Sequence, residues 1–331
     1  MKIGIPNTLF AAYHLPYWRK FFDYLGIELL ISDDSCKETI DIGSKSIPHE
    51  FCIPVKALLG HVVNLTLKKA DLIFIPRMIG KGNREFFCPK LIGLPEIVKY
   101  ALRLDETVIL SPEVVCNGVY LQMMNYPSFK MMPKSKLHQA HLQAEQYWKQ
   151  TLARCRQECL TIPQAASDSK AAPKNGAPKL GLLGYAYTLY DPFISKGIVE
   201  KLTALGSKVY TWEMLDSAVI ESKLKGLGRP MFWNFSRFLL GAGLHFLAAP
   251  EFDGVIYVTP FSCGPDAITT KLLSLEAAVR KKPFLQITLD EHAEDSHLKT
   301  RLEAFIDMLT IQKEGMADEG NFPIPRSGTG L

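Results

Sequence analysis

Residues 2–32 read KIGIPNTLFAAYHLPYWRKFFDYLGIELLIS, and residues 179–212 read KLGLLGYAYTLYDPFISKGIVEKLTALGSKVYTW. These two stretches decide the fold, because each spells the same strand–helix–strand unit. In the first, Lys2 to Pro6 is a short apolar strand. Trp18, Phe21, Phe22 and Leu25 then recur at helical spacing and read as core, Gly26 stops the helix, and Ile27 to Ser32 is a second strand. In the second, KLGLL is the strand, Phe193 to Leu205 is helical, Gly206 stops it, and Lys208 to Trp212 is the next strand. Tyr13 and Tyr190 each stand eleven residues after the opening lysine. Further on, Asp71–Pro76 is matched by Asp253–Pro260, and Thr107–Leu110 by Phe284–Leu289. One βα-rich unit used twice is the reading. Strands alternating with helices imply an α/β fold of two Rossmann-like, doubly wound, mainly parallel domains. Ligands on such sheets bind beyond the carboxyl ends of the strands, so the two domains are expected to face a shared cleft.

The expected organisation is an N-terminal α/β domain over residues 1–133, a connecting polar helix over 134–162 and a linker over 163–178. A C-terminal α/β domain over 179–312 and a fraying tail over 313–331 complete it. The linker, PQAASDSKAAPKNGAP, is rich in Pro, Ala, Ser and Lys and has no apolar period. A chain of 331 residues with 47% hydrophobic and 22% charged side chains can bury a sizeable core without disulfide staples. Its net charge of +4 is too small to argue for nucleic acid. The longest apolar run, Phe238–Pro250, is broken by His245 and is too short to span a bilayer. The N-terminus reads as strand and turn rather than a secretory leader, so the expected location is the cytoplasm.

Of the seven cysteines, three share one local arrangement. Cys52 lies in EFCIPVK, Cys88 in FFCPK and Cys263 in PFSCGPD, each just ahead of a proline-started helical run. A helix N-terminus stabilises a thiolate or an anionic metal–sulfur cluster through exposed N–H groups and the dipole. Cys88 and Cys263 follow equivalent strands of the two halves and would reach the same cleft. The plainer reading of any one is a small apolar side chain filling a gap. Cys36 lies at another helix start, where Ser35 and Glu38 make a capping-box pattern. Cys116 follows the strand at Thr107–Leu110. Both are further candidate ligands. Cys155 and Cys159, spaced i, i+4 on the polar helix, read as incidental.

Six blocks in order, EFCIPVKALLGHV, DLIFIPRM, FFCPKLIGLPEIVK, FWNFSRFLLGAG, GVIYVTPFSCGPDA and DEHAEDSHLKTRLEAFIDML, resemble the 2-hydroxyglutaryl-CoA dehydratase-related family, also called acyl-CoA dehydratase activase-related proteins. The resemblance spans about residues 2–310. It implies kinship with 2-hydroxyacyl-CoA dehydratases, benzoyl-CoA reductases and double-cubane proteins of anaerobes. It implies an iron–sulfur cluster, [4Fe–4S] or double-cubane [8Fe–9S], with Cys52, Cys88 and Cys263 at the family's cysteine blocks. The Cys36 segment departs from that pattern, and Cys116 has no assigned place in it. The resemblance further implies low-potential electrons from a separate ATP-hydrolysing iron–sulfur activator, passed to an acyl-CoA or small-molecule substrate, and a homo- or heterodimer. The rival readings are a non-redox scaffold or binding subunit for an acyl-CoA dehydratase or its activator, and a zinc-binding or metal-free acyl-CoA enzyme. Neither a P-loop nor a complete dinucleotide turn is present, since Gly80-Lys81-Gly82 and Gly241-Ala242-Gly243 both fall short.

Four other groups have two readings each. Asp290-Glu291-His292 follows the strand Phe284–Leu289 and is either a proton relay or a hydrogen-bond partner of a cluster ligand, or a solvated turn. Arg77 either neutralises an anionic cluster or acyl-CoA phosphate, or pairs on the surface. His61 and His14 are each a packed residue or a site residue.

Overall fold

The computed structural model describes residues 1–80, 85–115, 122–167, 177–228, 231–292 and 294–319. The first half builds β1 (Lys2–Ile5), α1 (Phe10–Leu25), β2 (Glu28–Ile31), α2 (Lys37–Ser46), α3 (Ile53–Leu67), β3 (Leu72–Phe74), β4 (Arg77–Gly80), α4 (Pro89–Ile92), α5 (Leu94–Leu102), β5 (Ile109–Leu110) and β6 (Glu113–Val115). The helices α6 (Lys134–Glu158) and α7 (Ile162–Ala166) connect the halves. The second half follows with β7 (Lys179–Leu183), α8 (Ala186–Leu189), α9 (Pro192–Ser195), α10 (Ile198–Ala204), β8 (Lys208–Tyr210), α11 (Ser217–Leu224), α12 (Asn234–Ala248), β9 (Gly254–Pro260), α13 (Gly264–Arg280), β10 (Phe284–Leu289) and α14 (Asp295–Glu319).

Two four-stranded sheets carry the same topology. The first runs β2-β1-β3-β5 and the second β8-β7-β9-β10, with every pairing parallel. The register repeats too: Lys2 faces Glu28 as Lys179 faces Lys208. The doubly wound α/β architecture and its internal repeat therefore both hold. In an all-parallel sheet both faces must be covered, and this explains why β9 is buried along its whole length. The fully buried Phe21 and Phe22 of α1 pack on each other and on Trp18, and Trp18 and Phe22 pack on Phe74 of β3, at ring centroid distances of 4.5–5.9 Å. Gly26 ends α1 in the left-handed conformation at φ 72°, where a side chain would be strained.

Three local expectations shift. The helix read over Phe193–Leu205 is split, because Lys196 and Gly197 both turn left-handed between α9 and α10. The start of the polar linker is packed: Thr161 and Gln164 cap α7, which buries Ile162 and Ala165. The C-terminal helix α14 continues to Glu319, past the point where fraying was expected.

The carboxyl ends of the two sheets meet along a joined seam. Tyr13 of α1 stacks on Trp212, at a centroid distance of 5.3 Å and an angle of 18°. Phe86 and Trp233 form a parallel bridge, and Phe87 packs on Phe235 at 5.0 Å. Arg237 pairs with Glu85 at 2.7 Å, and Asn234 donates to the same carboxylate at 2.8 Å. Buried Lys56 of α3 pairs with Glu291, after β10, at 2.5 Å. Among the described residues, no helix is long and apolar enough to cross a membrane.

Candidate functional site

Cys52, Cys88 and Cys263 are the N-cap residues of α3, α4 and α13, and each helix carries proline in its first turn. Proline sets the helical φ and sacrifices only an N–H that would have had no helical partner. The three caps converge through one backbone oxygen. The Glu50 carbonyl accepts from Lys90 Nζ at 2.8 Å and from Ser262 Oγ at 2.9 Å. Each of Glu50, Lys90 and Ser262 lies within two residues of one of the cysteines. Lys90 also stands 5.0 Å from the centre of the Phe51 ring. Ser262 adopts φ 61°, a left-handed conformation that a non-glycine residue holds only when its surroundings impose it.

The thiols are close enough to sense one another's charge. Burial raises the Cys52 thiol, with Cys88 adding to the rise and the Lys90 ammonium opposing it. Burial raises Cys263 further, and the neighbouring Asp266 carboxylate adds to the effect. Helix N-termini were expected to hold these sulfurs as thiolates. At Cys52 and Cys263 desolvation outweighs the N-terminal field, so both are neutral thiols at pH 7.

Two residues without a motif complete this pocket. Asp266 is fully buried on α13; Tyr257 donates to its Oδ1 at 2.8 Å, while its Oδ2 has no hydrogen-bond partner among the described residues. Burial pushes its carboxyl up to about 6. Tyr187 stacks on Tyr185 at 5.0 Å, and its hydroxyl is raised by burial and by the charges of Cys263, Cys52, Asp266 and Cys88. The hint in the sequence was the position of Asp266, three residues after a cysteine N-cap. Tyr187 is brought in from the other side of the second sheet's first turn, which local sequence does not reveal.

The remaining cysteine candidates fall elsewhere. Cys36 caps α2 and is exposed, with its sulfur 3.2 Å from Thr39 Oγ1; the expected Ser35–Glu38 box is replaced by Cys36 and Thr39. Cys116 lies outside the described residues. Cys155 is buried and pushed up to about 12, and Cys159 ends α6 at φ 53°, so the two do not share a helix face.

Ser35 has a different role. It donates to Asp191 of the opposite half and so accepts from His61 Nε2, at 2.9 Å. His61 Nδ1 is then the acceptor for Ser32 Oγ, also at 2.9 Å, and the Asn7 N–H donates to Ser32 at 2.7 Å. This directed chain fixes the neutral tautomer, and burial lowers His61 to about 4. Asp191 also caps α9 through the N–H groups of Phe193 and Ile194. His61 is thus a buried junction between the halves.

The Asp290-Glu291-His292 turn resolves as structure. Asp290 accepts the His292 N–H at 2.8 Å, Glu291 pairs with Lys56, and the His292 side chain is exposed. Arg77 grips Glu96 with two nitrogens and donates to the Ile92 carbonyl at 3.2 Å. His14 packs edge-on against Tyr13 at 4.5 Å.

An iron–sulfur cluster would need thiolates at ligating distance from a common centre. Among the described residues, no three His, Cys, Asp or Glu side chains stand at metal-ligating spacing. Burial raises two of the three convergent thiols, so a metal would have to displace their protons, and the buried Asp266 carboxyl stands beside Cys263.

No curated protein sequence matches the chain. Residues 2–215 match the family model described as CoA enzyme activase uncharacterised domain (DUF2229). The match corrects one expectation. The matched domain is of the activase kind, so the reading of the chain as an iron–sulfur dehydratase component that accepts electrons and passes them to a substrate is overturned. The activase side of the resemblance stands: the chain belongs to the CoA enzyme activase domain family.

Proposed function

We propose that this chain is a non-redox binding subunit that holds an acyl-CoA dehydratase component or its activator. The observation that supports it most is the activase-family match over residues 2–215, which covers the whole first half and the connecting helices. The seam between the halves agrees with a holding role. A backbone bridge, the pairing of buried Lys56 with the partly exposed Glu291 and the Ser35–Asp191 contact lock the two sheets together, as a rigid adaptor requires. The convergent Cys52, Cys88 and Cys263 sit in this seam as half-buried side chains that cap three helix starts.

The test is binding of the purified chain, under anaerobic conditions, to a purified dehydratase component and to its ATP-hydrolysing activator, followed by calorimetry. Stoichiometric complex formation with one of them, unchanged in the Cys263→Ser variant, is the expected result. Binding to neither overturns the proposal. Stoichiometric iron and sulfide in the anaerobic preparation, lost in Cys52→Ala and Cys88→Ala but retained in Cys155→Ala, would overturn it in favour of a cluster.

A further inference from the structure

The helix α13 has one side buried in the fold and an apolar stripe on the other. One side, Pro265, Asp266, Thr269, Thr270, Leu273 and Ala277, is buried against the second sheet and α12. The opposite side carries Ile268, Leu272, Leu275 and Val279, exposed by 48%, 43%, 53% and 81%. Their spacing of four, three and four residues is that of a coiled-coil seam, and it runs from Ile268 to Val279 within a 17-residue helix. Scattered exposed leucines need no explanation, but an unbroken stripe does.

We propose that this stripe is the contact between two copies of the chain, related by a two-fold axis parallel to α13. The flanking charges carry the choice of partner. Lys271 and Glu276 stand on opposite edges of the stripe and are five residues apart. In a parallel, in-register helix pair, that spacing sets the lysine of each copy against the glutamate of the other. An isologous contact demands this self-complementarity, because each patch must bind its own image. Within one copy, Glu276 uses Oε1 to accept from Arg280 at 2.7 Å, which leaves Oε2 for the partner's lysine. The next position on the lysine edge, Ala278, is uncharged, so no like charges are opposed. A different protein could cover an apolar stripe, but would not explain why its two flanks complement each other.

A contact of two heptads is small, so a dimer with a roughly micromolar dissociation constant is expected. Sedimentation equilibrium of the full chain over a wide concentration range reads it directly. Wild type should associate to a dimer, and Leu272→Glu/Leu275→Glu should stay monomeric, with a melting temperature equal to that of wild type when both are measured at concentrations where wild type is monomeric, since both side chains are exposed in the single copy. Lys271→Glu should weaken the dimer roughly tenfold, by turning two attractions into repulsions. Lys271→Glu/Glu276→Lys, which restores opposite charges across the axis, should recover it. A monomeric wild type, a dimer that survives the double leucine variant, or a charge-swapped protein no tighter than Lys271→Glu would each overturn the proposal. Because the readout is self-association, its failure is separate from any failure to bind a dehydratase component or activator.

Discussion

Among the described residues, the buried Glu213 carboxylate has no ion-pair partner. It lies after β8, is 3% exposed, and accepts from the Tyr190 hydroxyl at 3.1 Å; its Oε2 has no hydrogen-bond partner among the described residues. Burial raises it from 4.5 to about 7. A rise of that size corresponds to about 3 kcal/mol between the protonated and ionised forms, at about 1.4 kcal/mol per pH unit. The sign follows from linkage. The folded-state value is raised, so the unfolded chain loses this proton first. The stabilisation is complete below about pH 4.5 and is lost as pH rises to about 7. Glu213→Gln keeps the shape and the acceptor for Tyr190 but cannot ionise. The variant should match wild type near pH 4.5 and exceed it by about 1–3 kcal/mol at pH 8. Urea unfolding at both values, followed by tryptophan fluorescence, is a suitable assay, because Trp212 adjoins Glu213 and stacks on Tyr13 across the seam. If the stability difference between variant and wild type is the same at both pH values, the carboxyl is not titrating as its burial demands and the reasoning fails.

Further outcomes follow from the same geometry. Brief alkylation near pH 7.5 with mapping by mass spectrometry should label exposed Cys36 well before Cys263, whose thiol is raised by burial; the reverse order would contradict the neutral-thiol description. Lys56→Met should cost about 1–3 kcal/mol by leaving Glu291 without its cation, less than for a fully buried pair because Glu291 is 23% exposed. The double variant Lys56→Met/Glu291→Gln should recover most of that loss, and a double variant as unstable as the single would show that the pair is not the cause. Gly60→Ala should lower stability by about 2 kcal/mol or more, because its added carbon would lie 2.2 Å from the Thr39 carbonyl oxygen and force α2 and α3 apart. An unchanged melting temperature would refute that contact.

The repeat was legible because periodicity is local. Lys2–Pro6 and Lys179–Leu183 are short apolar runs of strand length, and Gly26 and Gly206 stop the helices that follow by taking φ values of 72° and 81°. The helix starts at Cys52, Cys88 and Cys263 were equally readable, since proline in the first turn marks a helix N-terminus wherever it occurs. The state of the sulfurs was not. A helix N-terminus lowers a thiol's pKa and burial raises it, and burial depends on elements distant in sequence, such as the second-half turn that carries Tyr187, whose hydroxyl senses Cys52, Cys88 and Cys263. The same reason hid the Ser32–His61–Ser35–Asp191 chain and the pairing of Glu291 with Lys56, whose partners are 156 and 235 residues apart at the longest links. Chain-local chemistry specified the strands, the stops and the caps. Which groups lost water, and which charges met across the seam, depended on how the two sheets packed, because desolvation and Coulomb energy belong to neighbours in space.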